Sequence, residues 1–554
     1  MTAALPAPAA APPRTAWWRD AVVYQVYLRS FADSDGDGVG DLAGLRTRLD
    51  HLIRLGVDGI WLNPCYPSPG ADHGYDVADY LDVDARYGGL AAFDELLAEA
   101  HERGLKVLMD LVPNHCSVAH PWFQAALAGP PGSPERDRFI FRTGVDGPPN
   151  NWRSVFGGPA WTRLDGTDQW YLHSFDASQP DFNWRNPDIV EYFERVLRFW
   201  FDRGVDGFRI DVAHMMFKRA DLPDWAYGES TYNRYAQNQP EVHEVFRSWR
   251  GIAESYGRDL TMVGEVWVPT VEDLARYLRP DELPQAFYFD LLMRSWDAAA
   301  FRASITRGLA EIAATGATIT WTLANHDVHR SVTRFGLIAR PGAAGVDPFV
   351  MGARTRGDVD VDRGQRRARA ALLLLLALPG SVYLYQGEEL GLPEVQDLPD
   401  AARQDPTWFR SGGLEHGRDG CRVPLPWDRE RTSFGFSPEA ADTPWLPQPD
   451  WFAGYAVADQ WADPGSMLRL HADALRIRKQ LELGPELSFV DIPGRPDVVA
   501  YRRGDVTSVT VFGEAPFTPP AEWGSAVLTS AVLTSAGPAG SAVPGESSAW
   551  YVAG

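Results

Sequence analysis

Three acidic residues close strand-like runs in this chain. Asp211 lies in Gly207 to His214, Gly-Phe-Arg-Ile-Asp-Val-Ala-His, two residues after Arg209, so an extended backbone points both side chains the same way. A guanidinium there is expected to hold the carboxylate ionised and oriented. Glu265 ends Met-Val-Gly-Glu, and Asp327 follows Ile-Thr-Trp-Thr-Leu inside Asn-His-Asp. One strand-end Asp is often only a helix cap. Three of them, two with Arg or His neighbours, suit catalysis on the face of a parallel barrel where all strands end. Asp110-Leu-Val-Pro-Asn-His115 closes a further run. It supplies His115 as a donor to a substrate hydroxyl and Asp110 as a brace for Arg209.

A second group of acids suits a metal. Asp33-Ser-Asp-Gly-Asp-Gly-Val-Gly-Asp41 alternates carboxylates with glycines that let the loop curl around one hard cation. It opens like an EF-hand, but the twelfth position is Gly44 and a strand, not a helix, precedes it. The expected ligands are Asp33, Asp35, Asp37, Asp41 and the Val39 carbonyl. The expected ion is structural Ca2+, with Mg2+ as the alternative, and no organic cofactor is expected.

These residues need a scaffold. Short apolar strands alternate with longer helical patterns, a βα signature. Strands are expected at Val22 to Tyr27, Gly59 to Leu62, Lys106 to Val112, Gly207 to Asp211, Thr261 to Glu265, Ala286 to Phe289, Thr318 to Leu323 and Val382 to Tyr385. Helices are expected at Leu42 to Leu55, Leu90 to Arg103, Asp188 to Arg203, Pro240 to Ser255, Val271 to Leu278, Ala298 to Ala313, Arg363 to Leu378 and Met467 to Leu481. The fold class is therefore α/β, a (β/α)8 TIM barrel over residues 17–115 and 180–482. Residues 116–179, rich in Gly, Pro, Asp and Trp, are too long for a simple connection and form an inserted domain after strand 3. An irregular insertion follows strand 8 at 388–463. Short Val/Thr/Ser/Gly segments make 483–554 an all-β C-terminal domain, expected as a β-sandwich. Residues 1–16 form an Ala/Pro-rich tail expected to be disordered.

Composition narrows the partners. A formal charge of −22 over 554 residues argues against nucleic acid and anionic membranes. The 21 tryptophans suit a cleft in which apolar sugar faces lie on rings, although many such rings simply fill cores. Cys65, Cys116 and Cys421 are odd in number and widely spaced, with no metal-binding pattern, which suits a reducing cytoplasm. The longest apolar run, Ala370 to Leu378, is too short to span a bilayer.

Asp110 to His115, Gly207 to His214, Gly264 to Trp267 and Asn325 to Asp327 match, in order, the four signature regions of glycoside hydrolase family 13, the α-amylase family. Gln179-Pro-Asp-Phe-Asn-Trp184 resembles the Gln-Pro-Asp-Leu-Asn-Trp motif of its oligo-1,6-glucosidase and α-glucosidase branch, and Asp33 to Asp41 resembles that branch's calcium loop. Trp17-Trp18, Gly59 to Pro64 and Gly74 to Tyr80 fit as well, so the resemblance covers about residues 17 to 480. It implies Asp211 as nucleophile, Glu265 as general acid/base and Asp327 as transition-state stabiliser. A retaining glycosidase needs such an ionised attacker and a protonated partner ~5 Å away. Glu265, beside Trp267 and without a cationic neighbour in sequence, is placed to keep its proton.

The resemblance also implies a glucose pocket. Asp72 and Arg422 would hold the far hydroxyls and close it, Tyr75 would stack on the ring, His115, His326 and Arg209 would contact near hydroxyls, and Phe175 and Gln179 would line the wall. Arg422 stands in Gly-Arg-Asp-Gly-Cys-Arg-Val-Pro-Leu-Pro-Trp, similar to the family's Ala-Arg-Thr-Pro-Met-Gln-Trp except that Pro426 replaces its Gln. Val212 after the nucleophile resembles α-1,6-cleaving members, and His214 departs from the usual Val-Ile-Asn. The implied activity is that of a retaining, exo-acting α-glucosidase on short oligosaccharides or α-glucosides. The alternative is a transglucosidase or a sucrose or trehalose isomerase using the same site. A non-catalytic binding or transport-associated subunit is disfavoured because all three acids are present.

Overall fold

A computed structural model describes residues 16–227, 232–338, 358–439, 441–481, 483–484, 486–531 and 541–552. All but the last residue of the expected tail at 1–16 lie outside the described residues. Eight strands run β1 Val22–Val26, β2 Gly59–Leu62, β3 Lys106–Leu111, β4 Gly207–Ile210, β5 Thr261–Gly264, β6 Gln285–Phe287, β7 Thr318–Thr322 and β8 Ser381–Tyr385. Each pairs in parallel with its sequence neighbours, and β8 pairs back onto β1, closing the barrel. The expected TIM barrel is the observed fold.

The barrel is filled in layers. Gln285, Thr261, Ser381 and Thr320 form a hydrogen-bonded polar layer near the strand starts, with Gln285 Nε2 donating to Ser381 Oγ at 2.8 Å. Above it Trp61, Phe287 and Tyr383, from alternate strands, pack as an aromatic plug, with Phe287 and Tyr383 edge to face at 5.0 Å. On top lies charge: the Arg209 guanidinium sits 5.0 Å above the Trp61 ring. Gly207 lets β4 approach β5, since a Cβ there would lie 2.2 Å from the Thr261 carbonyl oxygen.

Helix Pro187–Arg203 shows how sequence sets an outer layer. Asn186 caps Asp188 N–H at 2.9 Å, Pro187 opens the helix, and Gly204 at φ 108° ends it. Ile189, Tyr192, Phe193, Val196, Leu197, Trp200 and Phe201 recur at helical spacing and are buried on one face. The expected helix Leu42 to Leu55 is instead two, Leu42–Thr47 and Leu49–Leu55. The break at Arg48 takes its guanidinium over Trp427 at 4.5 Å and onto the Gly435 carbonyl at 3.0 Å.

Between β3 and β4 the chain leaves the barrel and builds a three-stranded antiparallel sheet from Phe141–Thr143, Gln169–Leu172 and Trp161–Arg163. After β8, residues 388–463 form short helical turns with little regular structure. The C-terminal region is a five-stranded antiparallel sheet. Among the described residues it is one sheet rather than the two of the expected β-sandwich. A barrel helix, Val361–Leu376, takes the place of the second layer: Trp550 Nε1 donates to Leu373 O at 3.0 Å from inside the joint core. Phe517, Trp523 and Val543 cover the other face.

Candidate active site

Arg209 organises the cluster. Its Nη1 donates to Asp110 Oδ1 at 2.8 Å and Asp211 Oδ1 at 2.6 Å, and its Nη2 to Glu265 Oε2 at 2.5 Å. The brace expected from Asp110 is present; the isolation of Glu265 from cations is not. That acid is reached by Arg209, by Val212 N–H at 3.0 Å and by Trp267 Nε1 at 2.8 Å. Sequence distance hid this, because β4 and β5 are adjacent strands whose ends converge. Val212 takes φ 33°, a strained value for a β-branched residue, and that turn aims its N–H at Glu265.

Three carboxylates around one buried guanidinium leave surplus negative charge. Burial pushes the Asp211 carboxyl well above the usual range; Arg209 opposes this, while Glu265 and Asp110 add to it. Burial likewise lifts Asp110 to about 6 against the pull of Arg209. Arg209 therefore works to keep Asp211 charged, as its 2.6 Å contact implies, while desolvation and the neighbouring acids work against it.

Asp327 has the opposite environment. Its Oδ1 accepts from Arg418 Nη1 at 3.1 Å and Arg422 Nη2 at 2.9 Å, and His326 Nε2 lies 3.3 Å from Oδ2. Burial works to raise this carboxyl; His326, Arg418 and Arg422 outweigh it and hold it well below the usual range. Gln25 Nε2 donates to His326 Nδ1 at 2.8 Å, which turns Nε2 toward Asp327; burial pushes this imidazole far down.

Asp72 is closed by Arg418, not by Arg422. Arg418 Nη2 donates to Asp72 Oδ1 at 2.7 Å, and its Nε to Asp405 Oδ2 at 2.5 Å. Arg422 contacts Asp327, the His326 carbonyl at 2.9 Å and His73 Nδ1 at 3.3 Å. Burial lifts Asp72 to about 6 against Arg418 and Arg422. Gln179 Nε2 holds the other Asp72 oxygen at 3.1 Å and lies 3.2 Å from His115 Nε2. Burial pushes His115 down to about 4. Tyr75 donates to Asp110 Oδ2 at 2.9 Å and stacks on His326 at 5.2 Å and 8°. Phe175 packs on Phe156 and His115. All eleven expected catalytic and sugar-binding residues thus meet in one cluster at the strand ends. Asp211, Glu265 and Asp327 are 6%, 3% and 8% exposed, so all three acids are buried at the strand ends.

The chain is similar to known proteins over most of its length. The alpha-amylase catalytic domain signature matches residues 25–484. The chain belongs to the α-amylase family, glycoside hydrolase family 13. It is 35% identical over 512 residues to an oligo-1,6-glucosidase of Parageobacillus thermoglucosidasius, covering 84% of each chain. It is 38% identical to a probable α-glucosidase of Rhizobium meliloti, covering 86% of each. Among solved structures it is similar to the α-glucosyl transfer enzyme XgtA, with TM-score 0.84, 35% identity, and 98% of this chain and 100% of that one covered. It is also similar to the trehalulose synthase MutB of Pseudomonas mesoacidophila, with TM-score 0.83, 31% identity, and 98% and 100% covered.

Within this family 13 site, sequence reasoning missed three residues. Arg418 bridges Asp72, Asp327 and Asp405. Asp405 caps helix Pro406–Arg410, and Asp-Pro-Thr was a readable capping signal, though not a site signal. Phe156 lies 4.7 Å from the Arg418 guanidinium inside the aperiodic insert, where nothing in sequence marks it. His214, the departure noted in sequence, accepts from Trp267 N–H at 3.4 Å and so lies behind the Glu265 loop; burial pushes it down to about 3.

In the acidic loop, carboxylate oxygens of Asp33, Asp35 and Asp37 lie within 4.8 Å of one another. Asp37 is raised by burial and by Asp35, Asp33 and Asp41, against the pull of the Val39 N–H. This repulsion between hard oxygen donors fits a divalent cation. Asp41 stands outside the group of three: its Oδ1 caps Gly44 N–H at 2.7 Å and its Oδ2 accepts from Ser34 N–H at 2.8 Å. The loop clasps the post-β8 segment, with Asp442 N–H on Gly36 O at 2.8 Å and Trp445 N–H on Gly38 O at 3.0 Å.

Proposed function

We propose that this chain is a retaining, exo-acting α-glucosidase that releases terminal glucose from short oligosaccharides or α-glucosides. The observation that carries this is the buried Asp72–Arg418 ion pair, held on its other oxygen by Gln179, which ties the residues beyond the three acids together and closes that end of the site. A cleft closed at that end takes only a chain terminus.

In the proposed cycle an Asp211 oxygen attacks C1 while the glycosidic C–O bond breaks and the leaving oxygen takes a proton from Glu265. Glu265 then removes a proton from water, whose oxygen attacks C1 and frees Asp211. Asp211 attacks as a carboxylate, the form that the Arg209 contact at 2.6 Å favours against the burial that raises it. Asp327, held charged by two arginines, supports that same charge. Arg209 joins the attacker and the proton donor, which favours one shared reaction centre. The test is proton NMR of the first product from an aryl α-glucoside: α-glucose supports the cycle, and β-glucose rules it out.

Two similar structures are an α-glucosyl transfer enzyme and a trehalulose synthase, which favours a second reading in which sugar competes with water for the glucosyl intermediate. A product profile on maltose, isomaltose, sucrose, trehalose and maltotriose at low and high concentration separates the two. We assign the Asp33–Asp41 loop to a structural Ca2+ or Mg2+, supported by its converging oxygens. A cytoplasmic location is supported by three cysteines that are free and buried. No described helix is long and apolar enough to cross a membrane.

A further inference from the structure

A cavity of about 490 Å3 lies between the inserted domain and the chain leaving β4, and none of the catalytic or sugar-binding residues lines it. Five of its lining side chains are cationic, Arg136, Arg142, Arg185, Lys218 and Arg219, and only Asp137 is acidic. That balance runs against the whole chain, which has 74 acids to 52 lysines and arginines. Three of the five cations are answered within the protein: Arg185 by Glu241 at 2.6 Å, Arg219 by Asp221 at 2.8 Å and Lys218 by Asp181 at 2.8 Å.

Arg136 and Arg142 have no carboxylate partner among the described residues. Arg136 is only 7% exposed, so its charge is largely withdrawn from water. Its Nε donates to Ala126 O at 3.0 Å, its Nη1 reaches Gln169 Oε1 at 3.5 Å, and its guanidinium lies 5.2 Å from the Phe141 ring. Neutral partners leave a buried guanidinium short of counter-charge, which is costly. Arg142, one strand position beyond Phe141, is exposed at the cavity mouth, and its side chain's only hydrogen bond among the described residues is to its neighbour's carbonyl.

We propose that this cavity is an oxyanion site for a small phosphate-bearing ligand, with Arg136 and Arg142 on the phosphoryl oxygens. The planar guanidinium fork matches phosphate, and an anion there supplies the missing counter-charge. The volume exceeds that of a bare phosphate, so a phosphorylated monosaccharide fits as well as free phosphate, although Thr143 and Gln169 are bonded to each other at 2.7 Å and Asn183 to the Asp137 carbonyl at 2.8 Å.

Calorimetric titration at fixed ionic strength with inorganic phosphate and with glucose 6-phosphate tests this, using deoxynojirimycin to fill the catalytic recess. The expected result is one-to-one saturable uptake that persists with the recess filled and weakens at least tenfold in Arg142→Glu. Because Arg142 is exposed, that variant should keep wild-type melting and turnover; Arg136→Gln, if it folds, should abolish uptake. The tighter of the two probes separates free phosphate from a sugar phosphate. No saturable uptake, uptake lost when deoxynojirimycin is present, or equal affinity in Arg142→Glu would each overturn the proposal.

Discussion

The arginine that closes the sugar pocket can be identified by a double-mutant cycle. Asp72→Asn is combined with Arg418→Lys and, separately, with Arg422→Lys. In the structure Arg418 Nη2 meets Asp72 Oδ1 at 2.7 Å with both side chains buried, whereas Arg422 directs its donors to Asp327, His326 and His73. A buried charge-assisted hydrogen bond contributes about 1.5–3 kcal/mol. A lysine ammonium cannot reproduce a fork that serves Asp72, Asp327 and Asp405 at once. The Asp72–Arg418 coupling in kcat/KM on an aryl α-glucoside should therefore be about 10- to 150-fold. The Asp72–Arg422 coupling, which acts only through space, should stay near 1 kcal/mol or below, about fivefold. Melting curves of each variant separate lost folding from lost binding, since removing one partner of a buried pair costs about 3–5 kcal/mol. If Arg422 couples to Asp72 as strongly as Arg418 does, the assignment of the closing pair is wrong.

Further outcomes follow from the same contacts. Asp211→Asn should lower turnover of an aryl α-glucoside by about 10³-fold or more without loss of folding; near wild-type turnover would remove the nucleophile assignment. Acid stability should reflect buried neutral histidines. Burial pushes His471, remote from the site, down to about 4, so between pH 6.5 and about 4 the unfolded chain binds a proton that the folded chain does not. Stability is then full above pH 6.5 and falls as pH drops toward 4, and His471→Gln should flatten that limb in melts from pH 7 to 4; an unchanged slope contradicts it. Chelation should lower Tm more than turnover per folded molecule, because the acidic loop clasps the segment carrying Arg418 and Arg422; no change in either would make the loop a bare turn.

Elements set by local pattern were legible in advance. The βα alternation, seven of the eight outer helices and the placing of Asp211, Glu265 and Asp327 at strand ends followed from residue spacing, because strand and helix periods repeat within a few residues. Once eight parallel strands close, their ends must share one face, so three acids far apart in sequence become neighbours without further information. Resemblance to family 13 added the sugar-contacting residues.

What the chain's pattern left open was decided where irregular loops return to the barrel. Arg418 and Arg422 are four residues apart in a segment without periodicity, and only its folded path puts the first against Asp72 and the second against Asp327. Arg209 was readable as a partner of Asp211, yet its reach to Glu265 depends on the packing of β4 beside β5 and on the strained turn at Val212. Phe156 and the second layer of the C-terminal sheet came likewise from contacts between distant segments. Periodicity specifies which face of an element is buried; which charge meets which across that burial is settled only when the loops close, because ion pairing acts through space and not along the chain.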